Sequence, residues 1–248
     1  VTKTILVTGA SRGIGRATAE LAGERGWSVG VNFLGQKQAA DQVVATILAS
    51  GGRARALRGD VAEEADVVAI FAAAEAAFGP LDGVVVNAGI AAQAMPLAEM
   101  SADRMRRLFE VNILGSYLCA REAARRMSRS RGGRGGSIVL VSSVSARLGS
   151  PHEFVDYAGS KAAMDTLALG LSKELGREGV RVNSVRPGLI DTEIHATSGQ
   201  PDRAARLAET TPIGRPGQPR EIAEAIIWLL SDAASYTSGA ILDVSGGR

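Results

Sequence analysis

Tyr157 and Lys161 stand four residues apart inside the run DYAGSKAAMDTLALGLSKEL. On a helix that spacing puts both side chains on one face, one turn apart. A phenol ordinarily titrates near ~10, and a neighbouring ammonium favours the phenolate and lowers that value. Such a pair could pass a proton to or from a substrate oxygen near neutral pH. Near the other end of the sequence, the apolar run TILVT leads into Gly9-Ala10-Ser11-Arg12-Gly13-Ile14-Gly15 and then RATAELAGERG. Glycines after a strand permit a tight turn and let backbone approach a pyrophosphate closely. The amides at the start of the following helix meet phosphate oxygens without needing a cation. No Lys-Ser or Lys-Thr pair follows the last glycine, so the turn is not a nucleotide-hydrolysing phosphate loop.

Two kinds of element must position these groups. The short β-branched runs 4–8, 28–31, 83–86, 137–142 and 180–185 do not alternate polar with apolar, as strands covered on both faces require. Residues 54–57 make a weaker strand candidate, and 240–244 close the set. Between them lie amphipathic stretches long enough for crossover helices, at 14–25, 36–50, 63–77, 101–129, 156–176 and 219–231. This interleaving predicts an α/β fold, a Rossmann-type doubly wound parallel sheet of about seven strands with helices on both faces. Ser101 or Asp103 can cap the fourth helix, and Pro219 pre-sets the first turn of the last one. No linker divides 1–248, which reads as one domain.

Composition removes several function classes. The 248 residues are 46% hydrophobic, too apolar for a mainly disordered chain. Net charge is 28 − 26 = +2, and aromatics are 4%, so nucleic-acid binding is not expected. The Arg121–Arg134 stretch reads as a solvated helix end entering a Gly-rich turn. Cys119 is the lone cysteine and His152 and His195 the only histidines, which leaves no metal site and suits a reducing compartment. With no long apolar run and no leader pattern, a cytoplasmic protein without membrane contact is the expectation.

The turn from Thr8 to Gly15 has the spacing TGxxxGxG. In order along the chain come Asn87-Ala88-Gly89, Asn112, Ser143, Tyr157-x-x-x-Lys161 and Pro187-Gly188, falling mostly at strand ends. In this the sequence resembles the short-chain dehydrogenase/reductase family, over nearly its whole length. It is similar to 3-oxoacyl-(acyl-carrier-protein) reductases and to glucose dehydrogenase-like members. The resemblance implies an enzyme interconverting a small-molecule carbonyl and alcohol by hydride transfer with NAD(P). It implies Tyr157 as acid/base and Lys161 as its partner, also holding the nicotinamide ribose. Ser143 would polarise the substrate oxygen, and Asn112 would interrupt its helix to place a water behind Lys161. The spacing from Ser143 to Tyr157 is one residue longer than usual, which leaves Ser145 as an alternative; Ser142 should point the other way.

The implied cofactor contacts are Gly9, Ser11, Arg12, Ile14 and Gly15 in the turn, with Asn32 at the end of the second strand. Asp60 and Val61 would hold adenine, Asn87, Ala88 and Gly89 would form a ribose shelf, and Pro187, Gly188, Ile190 and Thr192 would wall the nicotinamide. An NAD site ordinarily has a carboxylate after the second strand. Here Asn32-Phe33-Leu34-Gly35 has none before Asp41, while Arg12 sits in the turn, so NADP is expected over NAD. The long stretch at about 189–217 reads as a substrate lid in which His195 could line the mouth. Helix 156–176, apolar on more than one face, offers Ala162, Thr166 and Leu169 to a homodimer or homotetramer. A 3-oxoacyl-carrier reductase specifically, or an NADP-binding redox sensor without turnover, are the alternative functions.

Overall fold

The computed structural model describes residues 2–248 and places seven parallel strands in one sheet, ordered β3-β2-β1-β4-β5-β6-β7. In chain order these are β1 (Thr4–Val7), β2 (Ser28–Phe33), β3 (Arg53–Arg58), β4 (Gly83–Val86), β5 (Gly136–Val141), β6 (Val180–Pro187) and β7 (Ile241–Val244). Strands β1, β2 and β4 are buried at every position, which is why their sequences do not alternate. The edge strand β3 exposes Arg53, Arg55 and Arg58 and buries only Leu57, so its apolar signal is weak.

The helices α1 (Gly13–Glu24), α2 (Lys37–Ala49) and α10 (Pro219–Leu230) cover one face. The other carries α3 (Glu64–Phe78), α4 (Ala102–Phe109), α5 (Gly115–Met127) and α7 (Val155–Leu175). Short helices α6 (Ser145–Leu148), α8 (Ile194–Thr197) and α9 (Arg203–Arg206) sit in loops beyond the carboxyl ends of the strands. Each face holds its own apolar layer: Val7, Leu21, Val31 and Ile226 belong to the first, and Leu6, Phe71, Val84 and Met164 to the second.

The single helix expected over 101–129 is two helices joined by a π-turn at Glu110–Leu114, centred on Asn112. Ser101, not Asp103, caps α4, its hydroxyl accepting from the Arg104 amide at 3.2 Å. Pro219 does open α10, where the Gln218 amide donates to the Glu221 carboxylate at 2.7 Å. The arginines around the α5 end are largely spent in ion pairs: Arg121 with Glu64, Arg126 with Glu75 and Glu122. Among the described residues no helix is long and apolar enough to cross a membrane.

Strand order reverses between β1 and β4, each neighbour being reached by a crossover to the opposite side. A crevice opens at such a switch point beyond the carboxyl ends of the strands. The glycine turn after β1 and Asn87-Ala88-Gly89 after β4 flank it.

Candidate active site

A cavity of about 420 Å³ lies along this edge. Of the residues singled out by sequence, Gly9, Ser11, Arg12, Ile14, Gly15, Asn32, Asp60, Val61, Asn87, Ala88, Gly89, Ser143, Tyr157, Lys161, Pro187, Gly188, Ile190 and Thr192 all line it. Asn112 lies behind the wall, fully buried.

The crevice floor is held by side chains bonded to backbone. Thr8 Oγ1 accepts from the amides of Asn87 (2.9 Å) and Ala88 (3.0 Å), tying the β1 end to the β4 end. Asn87 Nδ2 donates to the Thr8 (2.8 Å) and Gly9 (3.1 Å) carbonyls. A side chain at Gly15 would have no room: its Cβ would come within 2.4 Å of Asn87 Nδ2 and 2.5 Å of the Gly9 carbonyl. Helix α1 therefore begins pressed against the turn. It has neither a side-chain cap nor an acid in its first turn, so its leading amides are left for a ligand.

Asn32 lines the cavity with its side chain already bonded to the protein. Its amide reaches into the sheet edge, accepting from the Gly9 amide (3.1 Å) and donating to the Leu57 (3.2 Å) and Gly59 (3.1 Å) carbonyls. It braces the rim and has no donor left over. No carboxylate follows it, and Asp41 is paired with Lys37 at 2.5 Å. Arg12, by contrast, lines the cavity with its guanidinium in no hydrogen bond or ion pair to another described residue. Asp60 also lines the cavity but already accepts from the Ala62 amide (2.9 Å) and from Arg107 (3.1 Å), a contact with no signature in the spacing of the two residues. Uncapped helix amides, a tight glycine floor and a free guanidinium are the donor set of a dinucleotide site.

At the far end, Tyr157 and Lys161 occupy the first turns of α7. The Ser143 hydroxyl lies beside the Tyr157 phenol in the cavity wall, close enough to stabilise a phenolate. Ser143 Oγ accepts from the Ser145 amide at 3.1 Å, which places Ser145 at the start of α6, beside rather than in place of Ser143. Ser142 points away, donating to the Lys161 carbonyl at 2.9 Å. The longer connection from Ser143 to Tyr157 is taken up by α6 and a loop in which Ser150 (φ 46°) and His152 (φ 65°) adopt left-handed backbone.

Lys161 is almost fully buried, its Nζ 2.8 Å from the Val141 carbonyl and 5.6 Å from the centre of the Tyr157 ring. Burial pulls its ammonium down to about 8, opposed by the Asp165 carboxylate one turn on. Burial also pushes the Tyr157 phenol up to about 12, against the lowering effect of the Ser143 hydroxyl. This reverses the direction expected from spacing. Desolvation outweighs the lysine, which shares a helix face with the phenol but gives its bond to the β5 backbone.

Asn112 Oδ1 accepts from the Ile90 amide (2.8 Å), while Nδ2 donates to the Ile90 carbonyl (2.9 Å) and to Ser160 Oγ (3.0 Å). The π-turn thus delivers one amide side chain to the β4 loop and to α7 together. Three supports escaped sequence reasoning. Asp165 accepts from Ser184 Oγ (2.8 Å) and Arg186 Nε (2.9 Å) behind Lys161. Asp156 pairs with Arg104 (2.9 Å) and accepts from the Tyr157 amide (2.8 Å). Ser160 donates to the Tyr157 carbonyl at 2.7 Å. A usable signal existed for each: a polar residue on the sheet-facing side of an otherwise apolar helix.

The stretch 189–217 is closed at its base, where Ile190 and Gly217 form a bridge and the Asp191 amide donates to the Gly217 carbonyl at 2.9 Å. From it Ile194, His195, Ser198 and Arg203 reach the cavity wall. Arg203 is held by both oxygens of Glu153 at 2.7 Å each and stacks on Phe154.

Comparison with known proteins agrees with this geometry. Residues 9–248 match the family model described as enoyl-(acyl carrier protein) reductase. The chain is 49% identical over 243 residues to the uncharacterized oxidoreductase YgfF of Escherichia coli (strain K12), with 98% of each chain covered. It is 42% identical over 246 residues to the L-rhamnose 1-dehydrogenase (NAD(P)(+)) of Sphingomonas sp. (strain SKA58), covering 99% of this chain and 95% of that one. A solved short-chain type dehydrogenase/reductase from Mycobacterium marinum superimposes with a TM-score of 0.92 at 33% identity, covering 99% of this chain and 94% of that one. The chain belongs to the short-chain dehydrogenase/reductase family, and is an NAD(P)-dependent oxidoreductase of the kind that acts on CH–OH groups.

Proposed function

We propose that the protein interconverts a carbonyl and a secondary alcohol with NADP(H), Tyr157 moving the proton. The observation that carries this is that Ser143 and Tyr157 line one cavity side by side, with Lys161 one helical turn away and the uncapped α1 amides in the same cavity. NADP(H), when bound, supplies or takes up the hydride. Gly9, Ser11, Ile14 and Gly15 hold its pyrophosphate end and Arg12 its 2′-phosphate. Val61 and Asp60 flank adenine, Asn87 to Gly89 support a ribose, and Pro187, Gly188, Ile190 and Thr192 form the wall beside the nicotinamide.

The remaining chemistry belongs to the chain. Ser143 donates to the substrate oxygen as negative charge develops there. With its phenol up near 12, Tyr157 is protonated at neutral pH and stands ready as the acid for reduction. In the oxidising direction it must first shed that proton, so oxidation gains from rising pH. Lys161 gives one hydrogen to the Val141 carbonyl and keeps others for a ribose hydroxyl. Asn112 fixes the β4 loop against α7, so that both ends of the reacting geometry move together. The segment at about 189–217 acts as a lid, latched through Arg203 and Glu153. Exposed Phe109, Leu114 and Tyr117 beside α7, with Val155 and Leu169 on it, form a surface for a second copy in a homodimer or homotetramer. Light scattering that shows a 25.6 kDa particle at micromolar concentration would reject that assembly.

Single-turnover hydride transfer on folded variants tests the mechanism. Tyr157→Phe keeps cofactor affinity but slows transfer by about 10²–10⁴-fold. Lys161→Ala weakens cofactor binding as well as transfer. Near wild-type transfer by Tyr157→Phe would refute the assignment.

A further inference from the structure

The substrate end of the cavity is mostly apolar: Ile90, Val144, Leu148, Phe154 and Leu189 line it. His195 interrupts this wall from α8. Its Nε2 lies 2.8 Å from the Ile190 carbonyl. A carbonyl oxygen can only accept, so Nε2 carries the hydrogen, and a neutral imidazole then has a bare lone pair on Nδ1. Burial holds the ring below its usual titration range, with Arg203 adding to the effect, so the neutral form prevails near pH 7. Nδ1 has no protein partner among the described residues, and it is not a sealed, unsatisfied atom either. It is an accessible acceptor on a fixed ring.

The ring is held by its one bond to Ile190, and the residue's backbone is held as well. Its backbone carbonyl accepts from the Gln200 amide (2.9 Å) and from Ser198 Oγ (3.0 Å). Other charged groups nearby are already engaged or turned elsewhere. Arg203 is spent on Glu153, and Glu193 lies toward Gly13 in the glycine turn. Beside the hydroxyls of Thr192 and Ser198, His195 therefore offers this stretch of wall an acceptor on a ring held by its own bond to Ile190.

On the reading that this is an alcohol–carbonyl oxidoreductase, we infer that His195 is a specificity-determining residue. Its Nδ1 accepts a hydrogen bond from a second substrate hydroxyl, which selects polyhydroxylated substrates over simple alcohols. A polar site made to receive a hydroxyl rejects the analogue lacking it, because the acceptor is then desolvated without a partner.

The test measures kcat/KM with NADP⁺ for cyclohexanol and for cyclohexane-1,2-, 1,3- and 1,4-diol. Wild type should prefer at least one diol over cyclohexanol by about tenfold or more. His195→Leu removes the acceptor and should abolish that preference, while cyclohexanol turnover is kept or raised. His195→Gln, which can still donate to Ile190 and accept from substrate, should restore a good part of it. NADPH affinity, measured by fluorescence, should be the same in all three proteins. Equal loss on every alcohol in His195→Leu, or no diol preference in wild type, would overturn the inference while leaving the oxidoreductase reading intact. Turnover of none of the alcohols by wild type would remove both.

Discussion

Replacing Arg12 by Ala separates the 2′-phosphate from the rest of the cofactor. The guanidinium lines the cavity and makes no hydrogen bond or ion pair with another described side chain, so its loss breaks no polar contact within the protein. Stability should stay within ~0.5 kcal/mol, about 1–2 °C in Tm for a chain of this length. What is lost is a charge-assisted bond to phosphate, worth about 1.5–3 kcal/mol, or roughly 10- to 150-fold in Kd. NAD(H), which lacks that phosphate, should bind the variant within about twofold of wild type, since an isolated exposed charge adds little. Fluorescence titration of both reduced cofactors against both proteins, with a thermal melt on each, makes the comparison. Equal weakening toward NADPH and NADH, or tighter binding of NADH by wild type, would show that Arg12 is an ordinary turn residue. The missing carboxylate after β2 would then have another explanation.

Gly15→Ala should lower both cofactor affinity and Tm, because a Cβ there meets Asn87 and the Gly9 carbonyl below 3 Å; Gly35→Ala, which meets nothing within 4 Å, should change neither. Lys161 falls to about 8 against ~10.4 for a free lysine, so the unfolded chain binds the extra proton between those values and this group's contribution to stability rises with pH there. Over the same rise the ammonium is lost and cofactor affinity should fall. Asp165→Asn removes the charge that favours the ammonium, so the midpoint of that fall should move to lower pH, read by NADPH titration from pH 6 to 10. Cys119, 1% exposed and pushed up to about 12 by burial, should resist an aromatic disulfide reagent at pH 8 and react with one equivalent only after unfolding.

How much of this was legible in the sequence depended on which force set each feature. Strands buried on both faces announce themselves, since nothing polar survives there without a partner. The ends of β2 and β6 were read short because Asn32, Arg186 and Pro187 break the apolar run. Two of those three are held in place by specific bonds, Asn32 to Gly9 and β3, and Arg186 to Asp165. The π-turn was hidden for another reason. An apolar period can run on across an inserted residue, so periodicity reads 101–129 as one helix, and the break at Asn112 followed only from the family resemblance. The set of cavity residues followed from motif order, yet the titration of Tyr157 did not. Spacing shows which charge is near the phenol, whereas the degree of desolvation depends on what the loops 88–96 and 189–217 lay over it.

Helix α7 shows why chemistry and assembly fall on the same element. Its buried side carries Asp156, Ser160, Lys161 and Asp165, an arrangement that would be ruinous if any one of them were unpartnered. Each has an answer: Arg104 for Asp156, Asn112 for Ser160, the Val141 carbonyl for Lys161, Ser184 and Arg186 for Asp165. Those partners come from α4, the π-turn, β5 and β6, so the position of Tyr157 and Lys161 is specified by four elements at once. The apolar residues that would normally face inward are partly displaced to the other side, where Val155 and Leu169 are 36% and 40% exposed. An apolar outer stripe on this helix is therefore a consequence of placing a polar site beneath it, and covering the stripe with a second copy would add rigidity to the site from outside.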